Sequence, residues 1–328
     1  MMEHTRIQVP EERSLLERAA PRFAFAAPPV PKLPEAAPIS APVVPVPVSA
    51  RVVVPASAPT AQPRPATVAQ FAPSPMFAAP LPFAGERHAI DREHLRAAGF
   101  IVPGDPVTAL LEEFRLVKRQ IMLTAAESRA GIGAPHGERI LIASAHTGEG
   151  KTWCAVNLAL AIAAEKDTEV LLVDADFAKP SVLSTLGLPG GPGLMDALAD
   201  PQMAVEDCVL GTDVAGLYVL PAGRTTNSDT EFLAANRAAQ VLERLSDQAP
   251  NRLIIFDSPP VLAASPAAEL ASIVGQTVVV VRAERTGEAA LKDTLSLLSG
   301  CEDIKLLLNG VQFSPTGRRF GSYYGYGG

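Results

Sequence analysis

"RILIASAHTGEGKTWCAVNLALAIAAE", residues 139–165, sets a strand, a glycine-containing loop and a helix in direct succession. The opening run "RILIASA" is apolar almost throughout, as a strand covered on both faces requires. From Lys151 onward apolar residues continue for several turns without a proline or glycine, which predicts a helix. The loop between them is "SAHTGEGKT", residues 144–152, with Ala145 where the general pattern of such loops has its first glycine. Gly148 and Gly150 let the backbone curl so that N–H groups point inward, and the helix that starts here adds its positive end. That geometry cradles phosphate: Thr147, Gly148, Glu149, Gly150, Lys151 and Thr152 form the candidate nucleotide loop. Lys151 reaches the β- and γ-phosphates, and the Thr152 hydroxyl is a candidate Mg²⁺ ligand.

Working outward, "EVLLVDAD", "LYVLPAG", "RLIIFDS", "QTVVVVRA" and "IKLLLNG" read as further strands of the same uniformly apolar kind. Helical patterns separate them, at 231–248 and around 265–273 and 286–299. The fold class is therefore α/β and P-loop NTPase-like, a mostly parallel sheet covered by helices on both faces. Ligands of such sheets bind at the carboxyl ends of the strands. Asp174 and Asp176 leave one strand there and Asp257 another. Carboxylates at that edge hold a hydrated cation or take a proton from a nucleophile, so the reaction class is nucleotide hydrolysis or phosphoryl transfer.

The rest of the chain is unlike this. Eighteen of its 31 prolines precede residue 83, and such a tract favours extended, disordered backbone over strand ladders. The expected organisation is a disordered Pro/Ala-rich arm at 1–88, a lead-in segment at 89–104, a P-loop domain at 105–316 and a Gly/Tyr-rich tail at 317–328. Within the arm, "PEERSLLERAA" suits one short amphipathic helix. Within the domain, a helix is expected over 107–128, with Leu110, Phe114, Val117 and Ile121 on its apolar stripe. A formal net charge of −7 argues against nucleic acid as a partner. The three scattered cysteines, Cys154, Cys208 and Cys301, suit a reducing cytoplasm. No apolar run approaches the roughly 20 residues of a membrane span, so any membrane association is expected through a partner.

"ASAHTGEGKT", "VLLVDADFAKP" and "LIIFDSPP" resemble the Walker A, A′ and B motifs of the bacterial tyrosine kinases (BY-kinases) of capsule and exopolysaccharide synthesis. The resemblance covers about residues 105–328. "HLRAAGFIVP", "GLMDALADP", "LPAGRT" and "ASIVGQTVVVVRAERT" look closest to the autokinases that accompany exosortase-type loci. It implies ATP and Mg²⁺ as cofactors, with Lys151, Asp174 and Asp176 catalytic, Asp174 as base, and Thr152, Asp176 and Asp257 at the metal. The phosphoacceptors would be Tyr323, Tyr324 and Tyr326, three of only four tyrosines in the chain. Arg318 and Arg319 would help draw this tail toward the acidic site of a neighbour. Glu112, Arg115 and Lys118 match the family's Glu-x-x-Arg-x-x-Arg oligomerisation motif, with lysine in the last place, and imply a homo-oligomeric ring.

The resemblance further implies a separate membrane chain-length determinant as activator, a phosphotyrosine phosphatase, and a cytoplasmic location peripheral to the inner membrane through that partner. Thr147 stands where many members have proline, and Ala178, followed by Lys179, where they often have arginine. Two alternatives stay open: a deviant P-loop ATPase of the partition or division-site class, and a non-catalytic ATP-gated scaffold. The first carries a signature lysine five positions before the loop lysine, where this chain has His146.

Overall fold

The computed structural model describes Phe83, residues 86–246 and residues 249–311. The stretch "PEERSLLERAA", nearly all of the proline tract and the Gly/Tyr-rich tail lie outside the described residues.

The apolar runs form one eight-stranded sheet, ordered β1-β4-β5-β3-β6-β2-β7-β8. Its strands are β1 (Arg87–His88), β2 (Arg139–Ser144), β3 (Glu169–Asp174), β4 (Leu210–Thr212), β5 (Leu217–Leu220), β6 (Arg252–Asp257), β7 (Gln276–Arg282) and β8 (Ile304–Asn309). Every neighbouring pair is parallel except β4 with β5. Successive side chains of a strand point to opposite faces. Accordingly Leu141 and Ala143 join one buried apolar cluster, while Ile140 and Ile142 join the other.

On the second face lie α1 (Arg92–Ala97), α2 (Ala109–Arg129), α3 (Lys151–Ala163) and α4 (Val182–Leu186). The first face is covered by α5 (Leu194–Ala199), α6 (Asp229–Ala234), α7 (Asn236–Ser246), α8 (Pro266–Ala271) and α9 (Glu288–Leu297). The helix that opens from the phosphate loop, α3, is buried along nearly its whole length, which fixes its start rigidly against the sheet.

Three expectations are corrected here. The arm boundary at residue 88 falls too late, because Arg87 and His88 pair with Gly211 and Thr212 as an edge strand. Both residues are polar and the strand is short, so no apolar alternation marks it. The lead-in segment that follows is part of the domain: Leu95, Ile101 and Val102 pack in the second cluster, and the Ile101 N–H donates to buried Asn157 of α3 at 2.7 Å. The helix expected over 231–248 is two, since Ala235 is extended (ψ 151°) and interrupts it.

Candidate nucleotide site

The parallel register brings the acidic residues together. Asp174 and Asp257 are direct partners at the ends of β3 and β6, and Ser144 of the central strand β2 leads into the phosphate loop beside them. Gly148 (φ 79°) and Gly150 (φ 100°) both take the left-handed conformation that glycine alone adopts without strain. A Cβ at Gly150 would also lie 2.2 Å from Asn309 Nδ2, so that side chain would have to move. The Thr152 hydroxyl, in the first turn of α3, donates to Asp257 Oδ2 at 2.6 Å. Lys151 is buried next to it and lowers the Asp257 pKa through its charge, although burial outweighs this.

Asp257 is fully buried, and burial pushes its carboxyl up to about 7. Among the described residues its Oδ1 has no hydrogen-bond partner. An orphaned carboxylate oxygen beside a threonine hydroxyl is a hard-oxygen donor set that suits a divalent cation keeping most of its waters. Among the described residues no group of three or more His, Cys, Asp or Glu side chains is placed to hold a metal by itself.

Asp174 is buried too, and its carboxyl is pushed up to about 6 by burial, against three hydrogen bonds that favour the charged form. Its Oδ2 accepts from the Ser181 and Val182 N–H groups at 2.8 and 2.9 Å, and its Oδ1 from the Asp176 N–H at 3.3 Å. Asp174 thus holds the loop from β3 to α4 in shape. Asp176 is half-buried, accepts only from the nearby Lys179 N–H at 3.0 Å, and is the acidic side chain open at this edge. Ala178 and Lys179 are exposed.

Glu149, expected at the nucleotide through its backbone, turns its side chain away from the loop's mouth and is 2% exposed. Thr147 and Gly148 are exposed at the tip, as is His146. Two residues outside the three nucleotide motifs join the site: Arg282 at the end of β7 and Asn309 at the end of β8. Both line a cavity of about 560 Å³ that opens beside Gly150, walled by Phe114 and Leu307 and by Trp153 of α3.

The oligomerisation motif divides. Glu112 and Arg115 pair with each other on the surface of α2. Lys118 does not face outward: it is 7% exposed, donates to the Ala161 carbonyl at 3.2 Å and pairs with Glu165. It sits four residues after Phe114 and three before Ile121, on the stripe that the helix buries. The expectation that all three residues face an adjacent subunit is corrected for Lys118. The phosphoacceptors Tyr323, Tyr324 and Tyr326, with Arg318 and Arg319, lie outside the described residues.

A buried strand, a glycine-shaped loop, a helix opening on Lys151 and Thr152, and a carboxylate bonded to that threonine define a P-loop nucleotide-binding protein. Residues 137–308 match the family described as the AAA domain. The chain belongs to this AAA-domain family, and the relatives it matches are named tyrosine-protein kinases. It is 27% identical over 224 residues to the putative tyrosine-protein kinase CapB of Staphylococcus aureus, covering 68% of this chain and 92% of that one. With the tyrosine-protein kinase ptk of Acinetobacter johnsonii it shares 31% over 170 residues, 51% of this chain but only 23% of ptk. Among solved structures, the BceF tyrosine kinase domain superposes with a TM-score of 0.51 at 27% identity, covering 60% of this chain and 76% of that domain. The chain therefore spans nearly all of CapB and under a quarter of ptk.

Proposed function

We propose that this chain is an ATP- and Mg²⁺-dependent protein-tyrosine autokinase of exopolysaccharide or capsule synthesis, acting on the C-terminal tyrosines of neighbouring copies. The observation that carries the proposal is the contact between Thr152 and Asp257 beside Lys151, with Asp176 open on the same sheet edge. Lys151 and the loop N–H groups hold the phosphates, while Thr152 and Asp257 hold the cation. Bound there, Mg²⁺–ATP supplies the transferable phosphoryl group and the charge that neutralises its oxygens.

What remains for the protein is the phenol. A tyrosine hydroxyl has a pKa near 10, so about one in a thousand is ionised at neutral pH, a deficit of roughly 4 kcal/mol. A carboxylate that takes the proton as attack proceeds removes that deficit. The geometry favours Asp176 for this step over Asp174, whose two oxygens already accept three backbone hydrogen bonds. Asp174 positions the loop that presents Asp176.

The substrates are Tyr323, Tyr324 and Tyr326, on a glycine-rich tail able to extend into an adjacent copy's site. Each phosphotyrosine adds about 1.5 to 2 negative charges, so a fully modified tail adds roughly 5 to 6 per chain. In a ring of copies that repulsion favours dispersal, giving a cycle of assembly, phosphorylation and release. A membrane chain-length determinant supplies activation and membrane proximity, and a phosphotyrosine phosphatase resets the cycle. Among the described residues no helix is long and apolar enough to cross a membrane.

The test is phosphotyrosine on the purified chain after incubation with Mg²⁺–ATP, alongside Lys151→Met and the triple change of Tyr323, Tyr324 and Tyr326 to Phe. A signal absent from both variants supports the proposal. ATP binding without phosphotyrosine, even with an activator present, would instead favour an ATP-gated scaffold or a P-loop ATPase of the partition or division-site class.

A further inference from the structure

The phosphate loop contains an acidic side chain, which is an awkward residue in a loop that binds anions. Glu149 resolves the conflict by turning inward. Its Oε2 accepts from the His146 N–H at 2.8 Å, which closes the loop on itself. Its Oε1 accepts from the hydroxyl of Thr286, a residue 137 positions away in the turn between β7 and α9. That hydroxyl in turn accepts from the Arg282 N–H at 2.9 Å, so its orientation is set. Among the described residues no cation lies within ion-pair distance of Glu149. Its main-chain carbonyl is held separately, by Asn309 Nδ2 at 2.9 Å.

We infer that Thr286 is a positioning residue for the nucleotide, acting through Glu149 to fix the shape of the phosphate loop. The inference rests on the reading of this loop as a nucleotide site and is independent of what becomes of the phosphoryl group. Its physical basis is preorganisation. A loop with two left-handed glycines is soft, and its N–H groups bind phosphate well only if they already converge. Without the Thr286 hydroxyl, one oxygen of a buried carboxylate has no donor. The carboxylate then turns toward water, which at this position means toward the phosphates. That frees the His146 N–H and sets a negative charge against the ligand. The Asn309 contact to the Glu149 backbone persists, so the loop is misshaped and the fold is kept.

The experiment is calorimetric titration of the full chain with Mg²⁺ and a non-hydrolysable ATP analogue, comparing wild type with Thr286→Val, Thr286→Ser and Thr286→Ala. Thr286→Val keeps the shape of the side chain and removes the donor, and it weakens ATP binding by about tenfold. Thr286→Ser restores the affinity to within about twofold, which a role in packing alone would not do. Thr286→Ala, which adds no methyl group, repeats the loss and serves where the valine variant does not fold. In a Glu149→Ala background the valine change has nothing to act through, and its effect shrinks to less than about twofold. In turnover the Thr286→Val defect falls mainly on KM for ATP, with kcat within about threefold. Unchanged affinity in Thr286→Val, or the same loss in both backgrounds, overturns the inference. Affinity is read without phosphotransfer, so a chain that binds ATP and makes no phosphotyrosine overturns the kinase reading and leaves this one standing.

Discussion

Asp257 and Asp174 carry the tension of the site. Both are buried acids at the ends of adjacent strands, and burial pushes them up to about 7 and about 6. In the unfolded chain both titrate near pH 4. Between about pH 4 and 7 the folded ligand-free chain therefore holds protons that the unfolded chain has released. Stability from these groups falls as pH rises through that window, and below it the two states bind protons alike. Asp257→Asn replaces the carboxylate with a neutral amide of the same shape. Urea denaturation should show the variant gaining on wild type between pH 5 and pH 8, while it makes no phosphotyrosine. A gap that stays constant with pH would mean Asp257 is ionised in the free protein. The residue scale also shows what the sequence left hidden. Asp174, Asp257, Lys151 and Thr152 stand in motifs whose spacing announces them. No spacing ties Thr286, Arg282 and Asn309 to the phosphate loop, because they come to it from the ends of β7 and β8, more than 130 residues away. Only the sheet order brings them there.

At the scale of elements, α2 shows how a motif and a helical period compete for the same residue. Glu112, Arg115 and Lys118 match a family pattern, but Phe114, Lys118, Ile121 and Ala125 share the buried stripe. Burial decides, since a lysine there must find an acceptor and finds the Ala161 carbonyl and Glu165. Lys118→Ala should lower unfolding free energy by about 1–2 kcal/mol. Arg115→Ala, whose pair with Glu112 is on the surface, should change it by less than about 0.5 kcal/mol. Chemical denaturation of both variants checks this, and an unaffected Lys118→Ala would return that residue to the surface. The strands legible in the sequence are the long, continuously apolar ones. The short strands β1 and β4 and the short helices α1, α4 and α5 carry too few residues for a period to show, and tertiary packing sets them. Ala235 likewise breaks a helical pattern with no proline or glycine to mark the place.

At the scale of the whole molecule, each border of the described domain carries a contact that can be tested. Phe83 stands at the end of the proline tract and is buried against Tyr218, with ring centroids 4.9 Å apart, and beneath the guanidinium of Arg252, 4.0 Å from the ring centre. It anchors the start of the domain. Phe83→Ala should therefore cost about 3 kcal/mol, read as a lower denaturation midpoint. Indifference to the change would show that the domain begins after it. At the other end, β8 stops at Asn309, which touches the phosphate loop, and the chain runs on into the tyrosine tail. Under the proposed function, one copy's site phosphorylates another copy's tail. The direct measurement mixes Lys151→Met, which keeps its tail but cannot transfer phosphate, with the triple Tyr→Phe chain, which keeps its site but lacks acceptors. After incubation with Mg²⁺–ATP the two are separated by tag and each is probed for phosphotyrosine. Transfer between copies puts phosphotyrosine on the Lys151→Met chain, and only in the mixture. A silent mixture beside a phosphorylated wild type would contradict it by placing the reaction within a single chain.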